Sequence, residues 1–159
     1  MRTEAFEPTS CEALFDLPCA CQNLRRATRI VTRIYDQELK KAGLEITQFG
    51  LLTALAIAGE VNQKRLSEGF VMDSTTLTRT LDRMRKQGWI HVKPGRDKRN
   101  HLFSLTAAGK RQIARAKPHW SLAESRLRGE LGESGWKAMK EAVSLVTKGG
   151  IQAQRFLQP

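Results

Sequence analysis

Residues 73–84 read Asp-Ser-Thr-Thr-Leu-Thr-Arg-Thr-Leu-Asp-Arg-Met, and this stretch decides the fold. Its apolar residues Leu77, Leu81 and Met84 recur at helical spacing. Asp73 is a good N-cap residue, so a helix should begin just after it. Short hydroxyl side chains fill the first turn, and arginines follow one turn apart. Such a surface suits a DNA groove, because hydroxyl and guanidinium groups can meet base edges and phosphates closely.

The flanking residues extend this helix into a longer pattern. Asn62 can cap a short helix that ends near Phe70, and a tight turn leads from there to the helix just described. On the other side, residues 89–92 and 102–105 alternate in part like paired strands, and they enclose the basic loop 93–101. The order helix, turn, helix, strand, basic loop, strand predicts a helix-turn-helix followed by a wing.

Two helices are expected before this pattern. Apolar residues fall at helical spacing over residues 19–41, and Gly43 should end this long amphipathic helix. Thr47 is expected to cap a second helix over residues 48–58, which is apolar on most sides and therefore buried. Residues 1–17 show little periodicity and are expected to form an N-terminal arm.

The residues after the second strand predict a long helical region. Thr106 is placed to cap its first helix, and Pro118 is expected to kink or break that helix near residues 114–117. Gly129 and Gly132 mark a turn before a last helix, which Gly149-Gly150 should interrupt. The predicted fold class is therefore mainly α with a small β wing.

The chain is strongly basic. Its 159 residues include 27 Lys and Arg against 16 Asp and Glu, which gives a formal net charge of +11. This excess favours a polyanionic partner such as nucleic acid. The length suffices for one domain with its own core plus an appended helical region.

The chain lacks membrane and secretion patterns. No apolar run reaches the roughly 20 residues that span a bilayer, and the N-terminus has no apolar signal-peptide core. We therefore expect a cytoplasmic protein with no membrane partner, in which Cys11, Cys19 and Cys21 are mostly reduced. The odd number of cysteines argues against a purely internal disulfide framework.

Metal and catalytic motifs are not apparent. His91, His101 and His119 have no spacing with one another or with the cysteines that resembles a zinc site. Cys19-x-Cys21 is not a C-x-x-C pair. The sequence shows no Gly-rich phosphate loop, nucleophile elbow or metalloprotease helix. We expect no cofactor, no metal and no enzymatic activity.

The order of these segments resembles the MarR family of winged helix-turn-helix regulators. The match is carried by residues 47–52 (Thr-Gln-Phe-Gly-Leu-Leu), 72–79 (Met-Asp-Ser-Thr-Thr-Leu-Thr-Arg), 88–90 (Gly-Trp-Ile), 97–99 (Asp-Lys-Arg) and 105–109 (Leu-Thr-Ala-Ala-Gly). It covers roughly residues 20 to 148. The resemblance implies a transcription regulator that binds double-stranded DNA.

The resemblance also implies a homodimer whose two winged domains bind a pseudo-palindromic operator. The expected division is an arm over 1–17, a helical dimerisation region over 18–45 and 107–159, and a winged helix-turn-helix DNA-binding domain over 46–106.

The sequence supports a dimer independently. In a lone chain, the last helix would expose an apolar stripe formed by Trp136, Met139, Val143 and Val146. Packing of the termini within one chain is the alternative.

The predicted DNA contacts lie mainly on the helix-turn-helix. Arg79 is assigned to a base edge, because guanidinium matches guanine O6 and N7, and Arg83 is assigned to phosphate. Lys64 and Arg65 should also meet the DNA backbone. The alternative for Arg83 is a pair with Asp82 or a solvated position. The alternative for one or two of the hydroxyl residues is that they only cap the helix. The hydroxyl side chains assigned to the groove are Ser74, Thr75, Thr76 and Thr78.

The basic loop supplies a second set of predicted contacts. Arg99 is assigned to the minor groove, and Asp97 to orienting Arg99 by a charge-assisted hydrogen bond. Arg96 and Lys98 would contact phosphates. The alternative is a disordered basic loop.

Cys21 suggests a possible thiol sensor. It lies about where the OhrR-type, peroxide-sensing branch of the family has its reactive cysteine, and Tyr35 lies where that branch has a tyrosine that contacts the thiolate. The branch's second tyrosine is replaced by Ile46, which counts against this function. A small buried apolar residue is the alternative role for the cysteine.

The position of Cys21 also has a chemical argument. A helix start and Arg25 one turn along would favour the thiolate, which is the form that attacks peroxide. Oxidation could then form a disulfide with Cys19 or Cys11.

The competing mode that the resemblance implies is a small organic effector, aromatic or anionic, bound between the dimerisation region and the winged domain. Leu24, Arg25, Thr28 and Trp120 are the candidate lining residues. We therefore expect a dimeric repressor released from DNA by such an effector, with thiol sensing at Cys21 as the alternative.

A third class of function, besides an effector-released repressor and a thiol sensor, is a winged helix that binds protein and no DNA. This class is less consistent with the sequence. It would not need Arg79, Arg83 and Arg99 together on one outward surface.

Overall fold

The computed structural model describes residues 19–95 and 101–155. The helices and strands in these ranges are α1 (Ala20–Leu39), α2 (Ile46–Ala58), β1 (Val61–Asn62), α3 (Gln63–Phe70), α4 (Ser74–Lys86), β2 (Ile90–Pro94), β3 (His101–Leu105) and α5 (Ala107–Arg155). The predicted class, mainly α with a small β wing, is confirmed. None of the described helices has both the length and the apolar character needed to cross a membrane. The predicted arm, residues 1–17, lies outside the described residues.

The end of α1 is fixed by a glycine and by α5. The helix tightens into a 3₁₀ turn over Lys40–Ala42, and Gly43 follows with φ 71°, as predicted for the residue that ends it. The Ala42 carbonyl accepts hydrogen bonds from Gln112 Nε2 at 2.6 Å and from Arg115 Nη2 at 2.5 Å. The carbonyl exposed at the end of α1 is thereby satisfied by side chains of α5.

The start of α2 corrects the prediction that Thr47 is its cap. The N-cap is Glu45, whose backbone N–H donates to Gln48 Oε1 at 3.1 Å. The next N–H, that of Ile46, donates to Asp36 Oδ1 at 2.7 Å. Side chains from α1 and from the first turn of α2 thus satisfy donors at the helix start, so the helix begins before Thr47.

A three-stranded antiparallel sheet forms the wing, with strand order β1-β3-β2. The predicted hairpin is confirmed, with Ile90 opposite Leu105 and Val92 opposite Phe103. Strand β1 was not predicted, because two residues are too few to show an alternating pattern. It pairs Val61 with Phe103 and ties the start of α3 to the hairpin.

The core lies where α2, α4 and the sheet meet. Full burial of a leucine-sized side chain contributes about 1.5–3 kcal/mol, so this cluster holds the helix-turn-helix on its scaffold. Its members with no more than 6% exposure include Leu51, Leu52, Leu55, Val61, Leu66, Leu77, Leu81, Met84, Ile90 and Phe103. The inward positions predicted for α4 are confirmed.

Helix α5 corrects two predictions of breaks. It continues through Pro118, and it also continues through Gly149-Gly150 as far as Arg155. The break lies at Gly132, as predicted, with φ 64° and ψ 171°, whereas Gly129, expected in the same turn, is helical. Pro118 removes one backbone hydrogen bond, but Ala116 and Ala123 on either side are fully buried at 0% exposure. We attribute the continuity of the helix to this packing.

Ionic and hydroxyl contacts tie α1 to α5. Tyr35 Oη donates to Glu124, and burial, reinforced by this hydrogen bond, raises the pKa of Tyr35. Glu38 is buried and accepts from Lys41 Nζ at 2.6 Å and from Arg126 Nη1. The hydrogen bond from Lys41 and the charge of Arg126 lower the pKa of Glu38. The buried carboxylate of Glu38 is therefore compensated by a charge partner on α5.

Candidate nucleic-acid interface

Both helices of the helix-turn-helix are capped at their N-termini by a side chain. Asn62 Oδ1 accepts from Arg65 N at 2.9 Å at the start of α3, as predicted. Asp73 Oδ1 accepts from Thr76 N at 2.8 Å at the start of α4, also as predicted. The hydrogen bond from the Thr76 backbone lowers the pKa of Asp73.

The turn between α3 and α4 contains a left-handed residue that is not glycine. Val71 has φ 48° and ψ 46°, a conformation that costs an L-residue roughly 1–2 kcal/mol. Met72 N donates to Ser67 O at 3.0 Å, and Ser67 Oγ donates to Met72 O at 2.6 Å. These hydrogen bonds close the turn on the last residues of α3 and compensate for the strain.

Arg79 lies near the centre of the outward face of α4. Successive residues are turned by about 100° around a helix, so the side opposite the buried Leu77 and Met84 can be assigned. Residues on that opposite side, all exposed, are Thr75, Arg79, Asp82 and Lys86. A guanidinium at this position is accessible from solvent, and the base contact assigned to Arg79 stays a prediction.

The two flanks of α4 face different neighbours. Thr78 lies on the flank toward α3, whereas Arg83 lies on the other flank, with Nη1 3.9 Å from Glu45 Oε1. Arg85 Nε lies 3.6 Å from Asp82 Oδ1. Asp82 therefore forms an ion pair with Arg85, and the alternative pair of Arg83 with Asp82 is not formed. Arg83 is exposed at the edge of the outward face.

The predicted hydroxyl residues are not equivalent. Ser74, Thr75, Thr76 and Thr78 are all exposed. Thr78 Oγ1 donates to Ser74 O at 2.7 Å, so its proton is used within α4. The next threonine along, Thr80, is buried and donates to Thr76 O at 2.9 Å.

Gln63 is a polar residue of this face that the sequence analysis missed. It is the first residue of α3, and its Nε2 donates to Thr78 Oγ1 at 2.7 Å. The two residues are 15 positions apart, and no periodic pattern links them. A tight helix-turn-helix that brings the start of α3 against α4 is the only sequence feature that could have suggested this contact.

The start of α3 adds exposed basic groups. Lys64 and Arg65 are both exposed, as a phosphate contact requires. Lys64 Nζ lies 4.0 Å from Glu68 Oε1, with both side chains largely exposed. A pair of this kind contributes little and is easily exchanged for another anion.

The wing is described up to Gly95 and again from His101. The contacts assigned to Arg96, Asp97, Lys98 and Arg99 lie outside the described residues and remain predictions. At the base of the wing, Lys93 Nζ contacts Glu60 Oε2 at 2.6 Å.

The wing is fixed to α5 by a close backbone contact. Gly88 adopts φ 72°, and its carbonyl accepts from Thr106 Oγ1 at 2.7 Å. Thr106 N donates to the carbonyl of Trp89 at 3.0 Å. Thr106 Oγ1 also accepts from Gly109 N at 2.9 Å, which confirms Thr106 as the cap of α5. The residues that resemble the family in this segment therefore form the joint between α4, the wing and α5.

A solvent-open cleft of about 430 Å³ separates α4 from the hairpin. One wall is polar and includes Gln63, Thr78, Asp82 and Arg85. The other wall is provided by the hairpin residues Val92, His101 and Phe103. The cleft places the hydroxyl of Thr78 beside solvent on the same side as the outward face of α4.

Within one chain, the structure does not bring the candidate effector residues together. Helices α1 and α5 run antiparallel, since Ala42 contacts Gln112 while Tyr35 contacts Glu124. Thr28 precedes Tyr35 by about 10 Å along α1. Trp120 is displaced from Glu124 toward the opposite end.

The side chains of the effector set have different surroundings. Leu24, Arg25 and Thr28 are exposed. The Trp120 ring instead stacks on Phe49, with ring centroids 6.0 Å apart and planes 20° apart.

The cysteines that the structure describes lie at the start of α1. Cys19 is the N-cap residue of the helix, and Cys19 and Cys21 are both exposed free thiols. Tyr35 follows Cys21 on the same helix by about 21 Å, so it cannot contact Cys21 of its own chain. Cys11 lies outside the described residues. A buried apolar role for Cys21 is not supported within one chain.

The fold and sequence were compared with known proteins. A sequence profile of the MarR family matches residues 42–100. The chain is 29% identical over 83 residues to the uncharacterised HTH-type transcriptional regulator YwoH of Bacillus subtilis, across 52% of this chain and 61% of that protein. It is 35% identical over 78 residues to the multiple antibiotic resistance protein MarR of Salmonella typhimurium, across 48% of this chain and 54% of that protein. The match therefore spans less than two thirds of these curated relatives.

Among solved structures, the similarity extends beyond the winged domain. The transcriptional regulator MosR of Mycobacterium tuberculosis, solved in complex with DNA, superposes with a TM-score of 0.76 at 29% identity, covering 85% of this chain and 98% of MosR. A second structure of MosR superposes with a TM-score of 0.76 at 28% identity, covering 87% of this chain and 98% of MosR. The chain therefore matches the MarR family profile over its winged domain, and over most of its length its architecture is similar to that of a MarR-type winged-helix regulator.

Proposed function

We propose that the chain is a transcription regulator, acting as a repressor, that binds duplex DNA as a homodimer. Helix α4 enters the major groove, with Arg79 at a base edge and Arg83 at phosphate. Lys64 and Arg65 contact the backbone from α3, and the residues of the wing follow the adjacent groove.

The observation that carries the proposal is the outward face of α4. Arg79 stands exposed on the side of a capped helix opposite the core, where no packing role accounts for it. Four basic residues and one acidic residue occur in α4, so the helix offers a positive surface. The formal net charge of +11 favours the same partner. The similarity to MosR, whose structure was solved with DNA, adds support.

The dimer follows from an uncovered apolar surface. Beyond Gly132, helix α5 exposes Val143 by 53%, Leu145 by 72% and Val146 by 50%. On α1, Ile30 is 52% exposed. Exposed apolar residues of this size favour an interface, and a second copy of the chain would cover them. Dimerisation would also set the distance between the two copies of α4.

A selection experiment tests the proposal. The full chain would be mixed with a pool of random duplexes, and the bound DNA sequenced after repeated rounds. We expect an enriched pseudo-palindrome whose half-site centres lie about one helical turn, roughly 10 base pairs, apart. Affinity should fall steeply with salt as counterions are released. A chain that enriches no duplex would refute DNA binding, and binding that is insensitive to salt would refute the proposed phosphate contacts.

Release by a small aromatic or anionic effector is the regulatory half of the proposal. A dimer would place residues of a second chain near Arg25 and Thr28, which a single chain leaves exposed. The candidate site, with Leu24 and Trp120, would then lie at the interface. The repressor would respond when an effector holds the two winged domains at a spacing that does not fit the operator.

Thiol sensing is the second candidate, and the exposure of Cys21 favours it. Cys19 and Cys21 lie two positions apart at the start of α1, and both are exposed to a soluble oxidant such as peroxide. A tyrosine partner for the thiolate would have to come from a second chain.

One assay separates the two regulatory mechanisms. Operator binding by the wild type and by Cys21→Ser would be measured with peroxide and, separately, with a panel of aromatic carboxylates. A thiol sensor loses its peroxide response in Cys21→Ser but still binds DNA. If the wild type keeps its affinity under peroxide and loses it with a carboxylate, the redox mechanism is excluded.

A further inference from the structure

We infer that Gln63 is a specificity-determining residue, which acts by fixing the hydroxyl of Thr78 so that it offers only a hydrogen-bond acceptor to the DNA. The inference rests on the proposed DNA binding and adds the chemistry of one base contact. It starts from two hydrogen bonds that meet at Thr78 Oγ1, each 2.7 Å long.

The direction of both hydrogen bonds follows from elementary chemistry. A hydroxyl has one proton to donate and two lone pairs to accept with. The carbonyl of Ser74 can only accept, so the Thr78 proton must point to it. The group of Gln63 that lies 2.7 Å from the same oxygen must therefore be the amide N–H, and it donates.

Only one lone pair of the hydroxyl oxygen and the methyl group of Thr78 remain available for contact with a DNA base. Thr78 is exposed, and with Gln63 it lines the cleft between α4 and the hairpin. An unfixed hydroxyl would rotate and could either donate or accept, so it would not distinguish bases. With its proton committed to Ser74, this hydroxyl can satisfy a donor group and cannot satisfy an acceptor.

The major groove offers a matching distinction. Adenine N6 and cytosine N4 carry amine donors, whereas thymine O4 and guanine O6 are acceptors. Thr78 should therefore favour adenine or cytosine over thymine or guanine at one strand position in each half-site. Gln63 provides this preference through Thr78 rather than through a base of its own.

Base preferences of variants test this inference with the same random duplex pool. Thr78→Val keeps the side-chain shape and removes the hydroxyl, so the position whose preference changes identifies the contact. We expect the amine-base preference there to fall by roughly tenfold. Gln63→Leu should weaken the preference at that same position and no other. In the Thr78→Val background, Gln63→Leu should cause no further change at that position.

Controls separate positioning from general damage. Gln87→Ala removes an exposed glutamine at the other end of α4 and should leave every base preference unchanged. Thermal unfolding by circular dichroism checks that each variant is folded, and Gln63→Glu provides a second test of the same contact. Its carboxylate can compete with Ser74 for the Thr78 proton, so the preference at the Thr78 position should again weaken.

Different results would overturn the inference about Gln63 and the proposed DNA binding. A preference for thymine or guanine at the Thr78 position overturns the inference. So does a Gln63→Leu variant that binds all duplexes more weakly by one factor, since that is a structural or phosphate role. If the wild-type chain selects no duplex, the proposed function fails and the inference fails with it.

Discussion

Gly109→Ala should destabilise the fold by disrupting the joint between the wing and α5. A Cβ atom built on Gly109 would overlap the carbonyl oxygen of Trp89, and it would also lie 3.0 Å from Leu105 Cδ2 and 3.1 Å from the carbonyl carbon of Trp89. The first contact is with backbone, so it cannot be relieved by a side-chain rotation. The same carbonyl accepts the hydrogen bond from Thr106 N at 3.0 Å.

The magnitude follows from three contributions. Overpacking costs about 1–3 kcal/mol, and a rigid neighbour favours the upper end. Weakening the Thr106 hydrogen bond adds about 1 kcal/mol. Replacing a helical glycine by alanine returns about 1 kcal/mol through helix propensity. The net loss should be about 3 kcal/mol, or roughly 6–12 °C in the melting temperature of a chain of this size.

Gly129→Ala is the matched control. Gly129 is also in α5, and a Cβ atom there would meet nothing within 4 Å. This variant should gain up to about 1 kcal/mol from helix propensity alone. Both variants would be melted by circular dichroism at equal chain concentration. Equal melting temperatures for Gly109→Ala and the wild type would refute the tight joint that the structure assigns to residues 105–109.

Three further predictions concern the helix-turn-helix and the dimer. Asp73→Asn should keep the cap of α4 but remove its acid sensitivity. Because the pKa of Asp73 is lowered, its carboxylate stabilises the fold above the ordinary Asp pKa of about 3.9, and this stabilisation is lost as the pH falls through the pKa of the folded state. In urea unfolding below about pH 4, only the wild type should lose this contribution. Val71→Gly should raise the free energy of unfolding by up to about 1 kcal/mol, because relief of the left-handed strain exceeds the added freedom of the unfolded chain; a fall would contradict the strain. Val143→Glu should dissociate the dimer in sedimentation experiments, whereas Ser144→Glu, on another face of α5, should not; equal dissociation by the two variants would reject the interface.

Periodicity and capping residues predicted most of the fold. The caps Asn62, Asp73 and Thr106 and the paired strands were all visible in the sequence, because each depends on residues close to one another in the chain. The cap of α2 was misassigned to Thr47 because Asp36, on the preceding helix, satisfies a donor there.

The errors in α5 have a similar origin. A proline predicts a break from local chemistry alone, but burial of Ala116 and Ala123 against the rest of the chain keeps the helix continuous at Pro118. The sequence cannot show this balance between a lost backbone hydrogen bond and tertiary packing.

The candidate site was predicted in composition but not in geometry. The exposed position of Arg79 follows from helical spacing, whereas the hydrogen bond from Gln63 to Thr78 depends on how α3 meets α4. Likewise, the separation of Trp120 from Thr28 depends on the packing of α1 on α5. Contacts between elements are set by packing, which no local pattern encodes.

DNA recognition through Arg79 is tested most directly by a competition measurement of DNA specificity, followed by fluorescence anisotropy. Labelled operator, obtained from the duplex pool, would be displaced from the wild type, Arg79→Ala and Arg83→Ala by unlabelled operator and by a shuffled duplex of equal composition. Wild-type binding should be at least roughly 1,000-fold tighter to operator than to shuffled DNA. Arg79→Ala should lower the free energy of discrimination between operator and shuffled DNA by about 1–3 kcal/mol. Arg83→Ala should weaken the affinities for both duplexes by the same factor. Equal wild-type affinity for operator and shuffled DNA, or an unchanged ratio in Arg79→Ala, would contradict the claim that α4 recognises DNA through Arg79.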